Sequence, residues 1–228
     1  MFVDINITET AALLADSTRV TILMTLSDGR ALPAGELARC AHVSPSTAAA
    51  HLNKLVESQW LCVERQGRHR YFRLADPLIV HVLEELATIS QPQPANSFRE
   101  VRTGSALQLA RTCYDHMAGM LGVRLAQALV VRGYLVEQNE HYGVTEPGKE
   151  YLRTLGIEYE DLEKRRRQLA PQCLDWSERR HHIAGSLGAA LTERFFAFGW
   201  IMRVPSSRIV QVTETGKKYL AEAMDIVL

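Results

Sequence analysis

The sequence predicts a mainly α chain with small β-hairpins in two modules, and three observations carry that prediction. Near the start, two helices meet at a short turn and are followed by two alternating runs about a glycine. At 90 to 97, "SQPQPANS" gathers prolines in polar company. Beyond it a pattern is spelled twice: "HMAGMLG" from His116 returns as "HIAGSLG" from His182, and "VTEPGKEYL" from Val144 returns as "VTETGKKYL" from Val212. With 228 residues, 46% of them hydrophobic, the chain can bury more than one core.

The first clear helix follows Asp16-Ser17-Thr18, where Val20, Ile22, Leu23 and Leu26 make an apolar face that ends at Asp28-Gly29; Leu13 and Leu14 belong to a helix before it. Pro33 suits a first helical turn, and "AGELARCA" follows with Leu37 and Cys40 directed inward. The link His42-Val43-Ser44 leads to another N-terminus, with Ser44 as cap and Pro45 at the first helical position of a helix over 44 to 59. Leu52, Leu55 and Val56 hold it to the core. Its solvent side shows Ser46, Thr47, Ala49, Ala50 and Lys54. The runs "WLCVERQG" and "RHRYFRLAD" about Gln66-Gly67-Arg68 are a hairpin signal. Two helices at a short turn with such a hairpin behind them make a winged helix-turn-helix.

Charge agrees with that reading locally rather than globally. Basic and acidic residues balance at 26 each, so no net field draws the chain to nucleic acid or to an anionic membrane. Between Arg39 and Arg73, however, Arg39, Lys54, Arg65, Arg68, Arg70 and Arg73 face only Glu57 and Glu64, which gathers positive charge where phosphates would lie. Ser44, Ser46, Thr47, Ala50, His51 and Lys54 on the helix, with Arg68, His69 and Arg70 on the wing, are the candidate DNA-binding residues. Small hydroxyl side chains suit base edges, and the wing arginines suit phosphate or the minor groove. His51 precedes Leu52 and could instead be packed. The four cysteines form no close pair, no secretory signal opens the chain and no apolar run is long enough for a bilayer. The expectation is a cytoplasmic protein with no membrane partner.

The stretch "LADSTRVTILMTL...ELARCAHVSPSTAAAHLNKLVESQWLCVERQGRHRYFRL" resembles the ArsR/SmtB family of bacterial winged-helix repressors over about residues 8 to 90. The resemblance implies a homodimer joined through its first helix and "PLIVHVLEELATI", bound to a two-fold double-stranded DNA operator and released by an inducer. Two departures matter. Pro33-Ala34-Gly35 stands where metal-sensing members carry Cys-x-Cys, and Asp76 and His81 lack matching partners near residues 88 to 94. Sensing would have to lie elsewhere.

The expected organisation is therefore a DNA-binding and dimerisation domain at 1–90, a linker at 91–105 and a C-terminal α+β sensor domain at 106–228. The sensor domain is built from two winged-helix-like repeats at about 113–155 and 179–223. Each repeat reads as an amphipathic helix, a hairpin bearing Tyr134 or Trp200, and a Thr-capped helix ending in Tyr-Leu. Glycine inside a helix costs about 1 kcal/mol relative to alanine, so Ala-Gly-x-x-Gly needs a compensating close approach. A crossing of the two repeat helices at Ala118/Gly122 and Ala184/Gly188 is the simple candidate.

Polar residues beside the repeated motif are the candidate effector site: Cys113, Asp115, His116, Asp175, Trp176, Arg180, His181 and His182. Read as helical, Cys113 and His116 at i, i+3 share a face that a divalent metal can use, with Cys173 and His181 or His182 completing four ligands. Against this stand two other readings, buried cysteines acting as small hydrophobes and a pocket for an organic or redox-active effector. A thiol sensor would draw on Arg111, His116, Arg179 and Arg180 to lower a thiol pKa. The DNA-binding reading needs no cofactor. Cys113 as nucleophile with His116 as base lacks an oxyanion hole and a third orienting group, so no catalytic residue is assigned and no enzyme is expected. The run "EKRRRQ" at 163 to 168 is expected to be a solvated helix face.

Overall fold

The computed structural model describes residues 7–91, 94, 97–205 and 207–228. It divides into two compact units, Met1–Leu83 and Glu84–Leu228. Among the described residues no helix is long and apolar enough to cross a membrane.

The first unit opens with α1 (Ile7–Leu14) and α2 (Ser17–Thr25). Asp16 caps α2 by accepting from the Arg19 amide at 2.9 Å. The buried Arg19 side chain turns back to donate to the Leu13 and Ala12 carbonyls at 2.7 and 2.8 Å, satisfying acceptors at the end of α1 that have no partner in their own helix. Then follow β1 (Leu32–Pro33), α3 (Ala34–Cys40), α4 (Pro45–Glu57), β2 (Leu61–Gln66) and β3 (His69–Leu74). Pro33 is the extended cap of α3 rather than its first helical residue. The strands form an antiparallel sheet in the order β1-β3-β2, with Gln66 opposite His69 across the Gly67-Arg68 turn. Gly67 has φ +61°, which a side chain resists. Ile22, Leu23, Leu37, Leu52, Leu55 and Phe72 make the core, while Cys40 is only half-buried. This is the winged helix-turn-helix expected from the sequence.

The second unit begins inside α5 (Leu78–Ile89), not after it. Of the expected linker, Pro92, Gln93, Ala95 and Asn96 lie outside the described residues. Its second part is instead helical, as α6 (Phe98–Leu109). The Pro-rich composition stops at Ser97, and Arg102, Ala106, Leu107 and Gln108 are all good helix formers.

The repeat follows. In its first copy β4 (Arg111–Cys113) and β5 (His116–Ala118) form a tight hairpin, then α7 (Gly119–Val131), the hairpin β6 (Leu135–Gln138) and β7 (His141–Val144), and α8 (Glu146–Thr154). After α9 (Tyr159–Glu163) the order returns as β8 (Gln172–Leu174), β9 (His181–Ile183), α10 (Gly185–Ala197), β10 (Ile201–Arg203), β11 (Val210–Val212) and α11 (Glu214–Met224). Thr145 and Thr213 cap α8 and α11 in the same way, accepting from Gly148 and Gly216 at 3.1 and 3.0 Å. The basic run after Glu163 is not helical, and Arg167 ion-pairs with Asp115.

The copies embrace one another about an approximate two-fold. α7 packs on β9 and α10 on β5. Arg111 bridges to Ile209, and Pro171 bridges to His141, so each copy's leading strand reaches the other's second hairpin. The Tyr151 and Tyr219 hydroxyls meet at 2.6 Å, each ring stacked on the aromatic of its own copy, Tyr134 or Trp200. Leu121, Leu125, Leu129, Leu187, Leu191 and Phe195 fill the shared core.

Candidate functional site: a nucleic-acid interface and a buried Cys/His cluster

The apolar positions of α4, Ala48, Leu52 and Leu55, are buried, which leaves Ser46, Thr47, Ala50 and Lys54 exposed on the other side. Ser44 accepts from the Thr47 amide at 3.1 Å, and its hydroxyl lies 2.9 Å from that of Ser46. Arg68, His69 and Arg70 are exposed at the wing tip, Arg70 lying over the Phe72 ring at 5.3 Å. Arg73 is ion-paired with Glu64 and is a weaker source of positive charge. His51 departs from the expected face: it is half-buried, with Nδ1 3.6 Å from the Asp16 carboxylate that also caps α2.

The second constellation sits where the repeats meet. In β4/β5 Cys113 stands directly opposite His116, and in β8/β9 Cys173 stands opposite His182. Cys113 and His116 therefore do not share a helix face. They are cross-strand partners on a hairpin turned by Tyr114, at φ +56°, and Asp115. The helix begins only at Gly119, because the extended Ala118 is its cap.

All four side chains are buried, and their potential ligand atoms lie within 4.8 Å of one another. The His116 and His182 Nε2 atoms face each other at 3.2 Å. Behind each imidazole is a carboxylate, with Asp115 3.5 Å from His116 Nδ1 and Asp175 3.6 Å from His182 Nδ1. These four residues could hold a metal ion.

The glycines show where the repeated motif makes its close approach. A Cβ on Gly122 would stand 2.4 Å from the Met117 carbonyl oxygen and 3.5 Å from His182 Cβ. On Gly188 it would stand 2.2 Å from the Ile183 oxygen and 3.0 Å from His116 Cβ. The close approach is thus between helix and hairpin, not the expected crossing of two helices at Ala118/Gly122 and Ala184/Gly188. Ala118 and Ala184 both lie outside the helices as extended caps.

The electrostatics are set by burial and by charge behind the cluster. The Cys173 thiol against Cys113, together with burial, holds the Cys113 thiol well above its ordinary pKa. Burial alone would lower His116, but Cys113 and Asp115 beside it raise its pKa to about 9. Burial and the facing His116 hold His182 well below its ordinary value, so its imidazole is neutral. Asp175 would be raised by its burial, yet Arg111, Ser177 and the Gly119 amide keep it below the usual carboxylate range.

Arg111 is fully buried and anchors this arrangement. It donates to Asp175 at 2.9 Å, to Ser177 at 3.1 Å and to the Leu107 carbonyl at 3.1 Å, with the Trp176 ring 4.5 Å from its guanidinium. Glu84 lies 3.7 Å away and is paired in turn with Arg208. Trp176 therefore serves Arg111 rather than the cluster. Arg180 and His181 are exposed, and of the two adjacent histidines His182 faces inward because it is the one in register with Cys173. Glu84 and Arg208 were missed in the sequence; an acidic residue within the apolar "PLIVHVLEELATI" was the one available signal.

An exposed polar helix face beside a basic β-wing defines a winged helix-turn-helix protein. The family profile described as "Helix-turn-helix domain" matches residues 14–59. The uncharacterized HTH-type transcriptional regulator YdfF of Bacillus subtilis (strain 168) is 46% identical over 212 residues, 93% of this chain and 94% of that protein. The chain belongs to this family of helix-turn-helix transcriptional regulators. Among solved structures, NolR from Sinorhizobium fredii is similar at 23% identity and TM-score 0.34, over 36% of this chain and 82% of that one. The homodimeric winged helix-turn-helix DNA-binding domain of Mb0332 from Mycobacterium bovis matches at 20% identity and TM-score 0.34, over 36% of this chain and 76% of that one.

Proposed function

We propose that this regulator acts as a homodimeric repressor. In this reading α4 enters the major groove of a double-stranded operator, the wing grips the phosphate backbone, and an effector received in the C-terminal unit releases the DNA. The observation that carries it is the exposed face of Ser44, Ser46, Thr47, Ala50 and Lys54 beside Arg68, His69 and Arg70. His51 belongs at the edge of this face as a support through Asp16 rather than as a base contact.

Dimerisation is supported by an apolar stripe on α5. Leu78, Val82 and Leu86, four residues apart, are 63%, 38% and 39% exposed, and Ile89 beyond them is 79% exposed. An effector would work by favouring a dimer geometry in which the recognition helices no longer match the roughly 34–36 Å repeat of successive major grooves.

The test is fluorescence anisotropy on the DNA upstream of the protein's own coding sequence, across a salt series. Each phosphate contact contributes about 0.9 to the slope of log affinity against log salt. Arg68→Ala with Arg70→Ala, acting twice in a dimer, should weaken binding and make the slope shallower by about 2 to 4. Unchanged affinity and slope in the double variant would refute the docking.

A further inference from the structure

We propose that Cys113, His116, Cys173 and His182 bind one zinc-class divalent cation in a closed tetrahedral site that ties the two repeats together, with Asp115 and Asp175 orienting the imidazoles. Each repeat supplies one thiol and one imidazole from a hairpin, so neither holds the ion alone. Zinc takes imidazole nitrogen at about 2.0–2.1 Å, which sets two nitrogens of a tetrahedron about 3.3 Å apart. The His116 and His182 Nε2 atoms are 3.2 Å apart, and all four potential ligand atoms fall within 4.8 Å.

Donor chemistry and surroundings agree. Two thiolates with two imidazoles suit a borderline-soft ion better than magnesium or calcium, which prefer oxygen. An imidazole bound through Nε2 carries its proton on Nδ1, and each Nδ1 here faces a carboxylate, as ligating histidines require. Among the described residues His182 Nδ1 is buried without a hydrogen-bond partner, with Asp175 3.6 Å away, and Nε2 ligation would make it a donor aimed at that carboxylate. The absence of a Cβ at Gly122 and Gly188 leaves room for the helices to lie against the hairpins that carry the two histidines. With four protein ligands and all of them buried, no position is left for substrate or water, so the centre binds and braces rather than catalyses.

The inference stands independently of DNA binding, because metal uptake is read on the free protein. Full-length chain, stripped with chelator and kept reduced, is titrated with cobalt(II) and then zinc(II). The expected result is one equivalent per chain with the intense visible bands of tetrahedral cobalt and thiolate-to-cobalt charge transfer, displaced by one equivalent of zinc. At zinc about a thousandfold above Kd the melting temperature should rise by about 10 °C. Cys113→Ser and Cys173→Ser should abolish the spectrum, whereas Cys40→Ser and Cys62→Ser should leave it intact.

Should the first pair not fold, alkylation of wild-type protein decides the question. At a urea concentration that opens the metal-free second unit and exposes its buried thiols, zinc should protect Cys113 and Cys173 and leave Cys40 and Cys62 reactive. A folded wild-type chain that takes up neither metal, an octahedral cobalt spectrum, or zinc protection falling on Cys40 or Cys62 would overturn the proposal.

Discussion

Replacing Gly188 with alanine sets two opposed effects against each other at one atom. In an unhindered helix the change is favourable by about 1 kcal/mol, because alanine loses less backbone entropy than glycine. Here the new methyl would stand 2.2 Å from the Ile183 carbonyl oxygen and 3.0 Å from His116 Cβ. The nearer contact is with backbone, is roughly 1 Å too short, and cannot be relieved by rotating a side chain. Overpacking of this kind costs about 1–3 kcal/mol, and a backbone obstacle puts it at the upper end. The net loss is then about 2 kcal/mol, which for a chain of this size lowers the melting temperature by roughly 4–8 °C.

Gly104, in α6 of the same unit, supplies the control, since a Cβ there meets nothing within 4 Å. Gly104→Ala should raise the melting temperature by roughly 2–4 °C. Both are read by circular dichroism melts at fixed zinc. If Gly188→Ala melts at or above wild type while Gly104→Ala is stabilised, the intimate packing of α10 on its hairpin is wrong.

Arg111→Met should destabilise the second unit by about 3–5 kcal/mol in urea denaturation, because it strands the buried Asp175 carboxylate and leaves Glu84 with Arg208 alone; a loss below about 1 kcal/mol would contradict the network. Ser44→Ala removes the side-chain cap of α4 and should cost the first unit about 1 kcal/mol, with DNA affinity falling as the helix start frays. Equal stability with unchanged affinity would show that the cap contributes little.

The sequence announced some of these elements through local chemistry. Ser44 and Pro45 mark the start of α4 because a cap and a proline each solve a problem peculiar to a helix N-terminus. Gly67 marks the wing because the turn there needs positive φ. The repeat was visible as repeated spelling, and Cys113, His116, Cys173 and His182 were visible as ligand types. Their geometry was not. Strands of three residues are too short for alternation to declare itself, so "RTCYDHMA" reads as the lead-in to a helix although it folds as a hairpin. The choice between His181 and His182 depends on the register of β9 against β8, and a slip of one residue would reverse which of them faces inward. Glu84 and Arg208 are 124 residues apart, and their pairing has no local signature.

The embrace of the two repeats bears on how the halves of the second unit find each other. Two separate chains assembling such an isologous pair would depend on meeting in solution, and dilution would take them apart. Fused in tandem, the halves meet at the effective concentration fixed by their connection, which for short links reaches millimolar values. Their mutual recognition is then indifferent to how many molecules a cell contains.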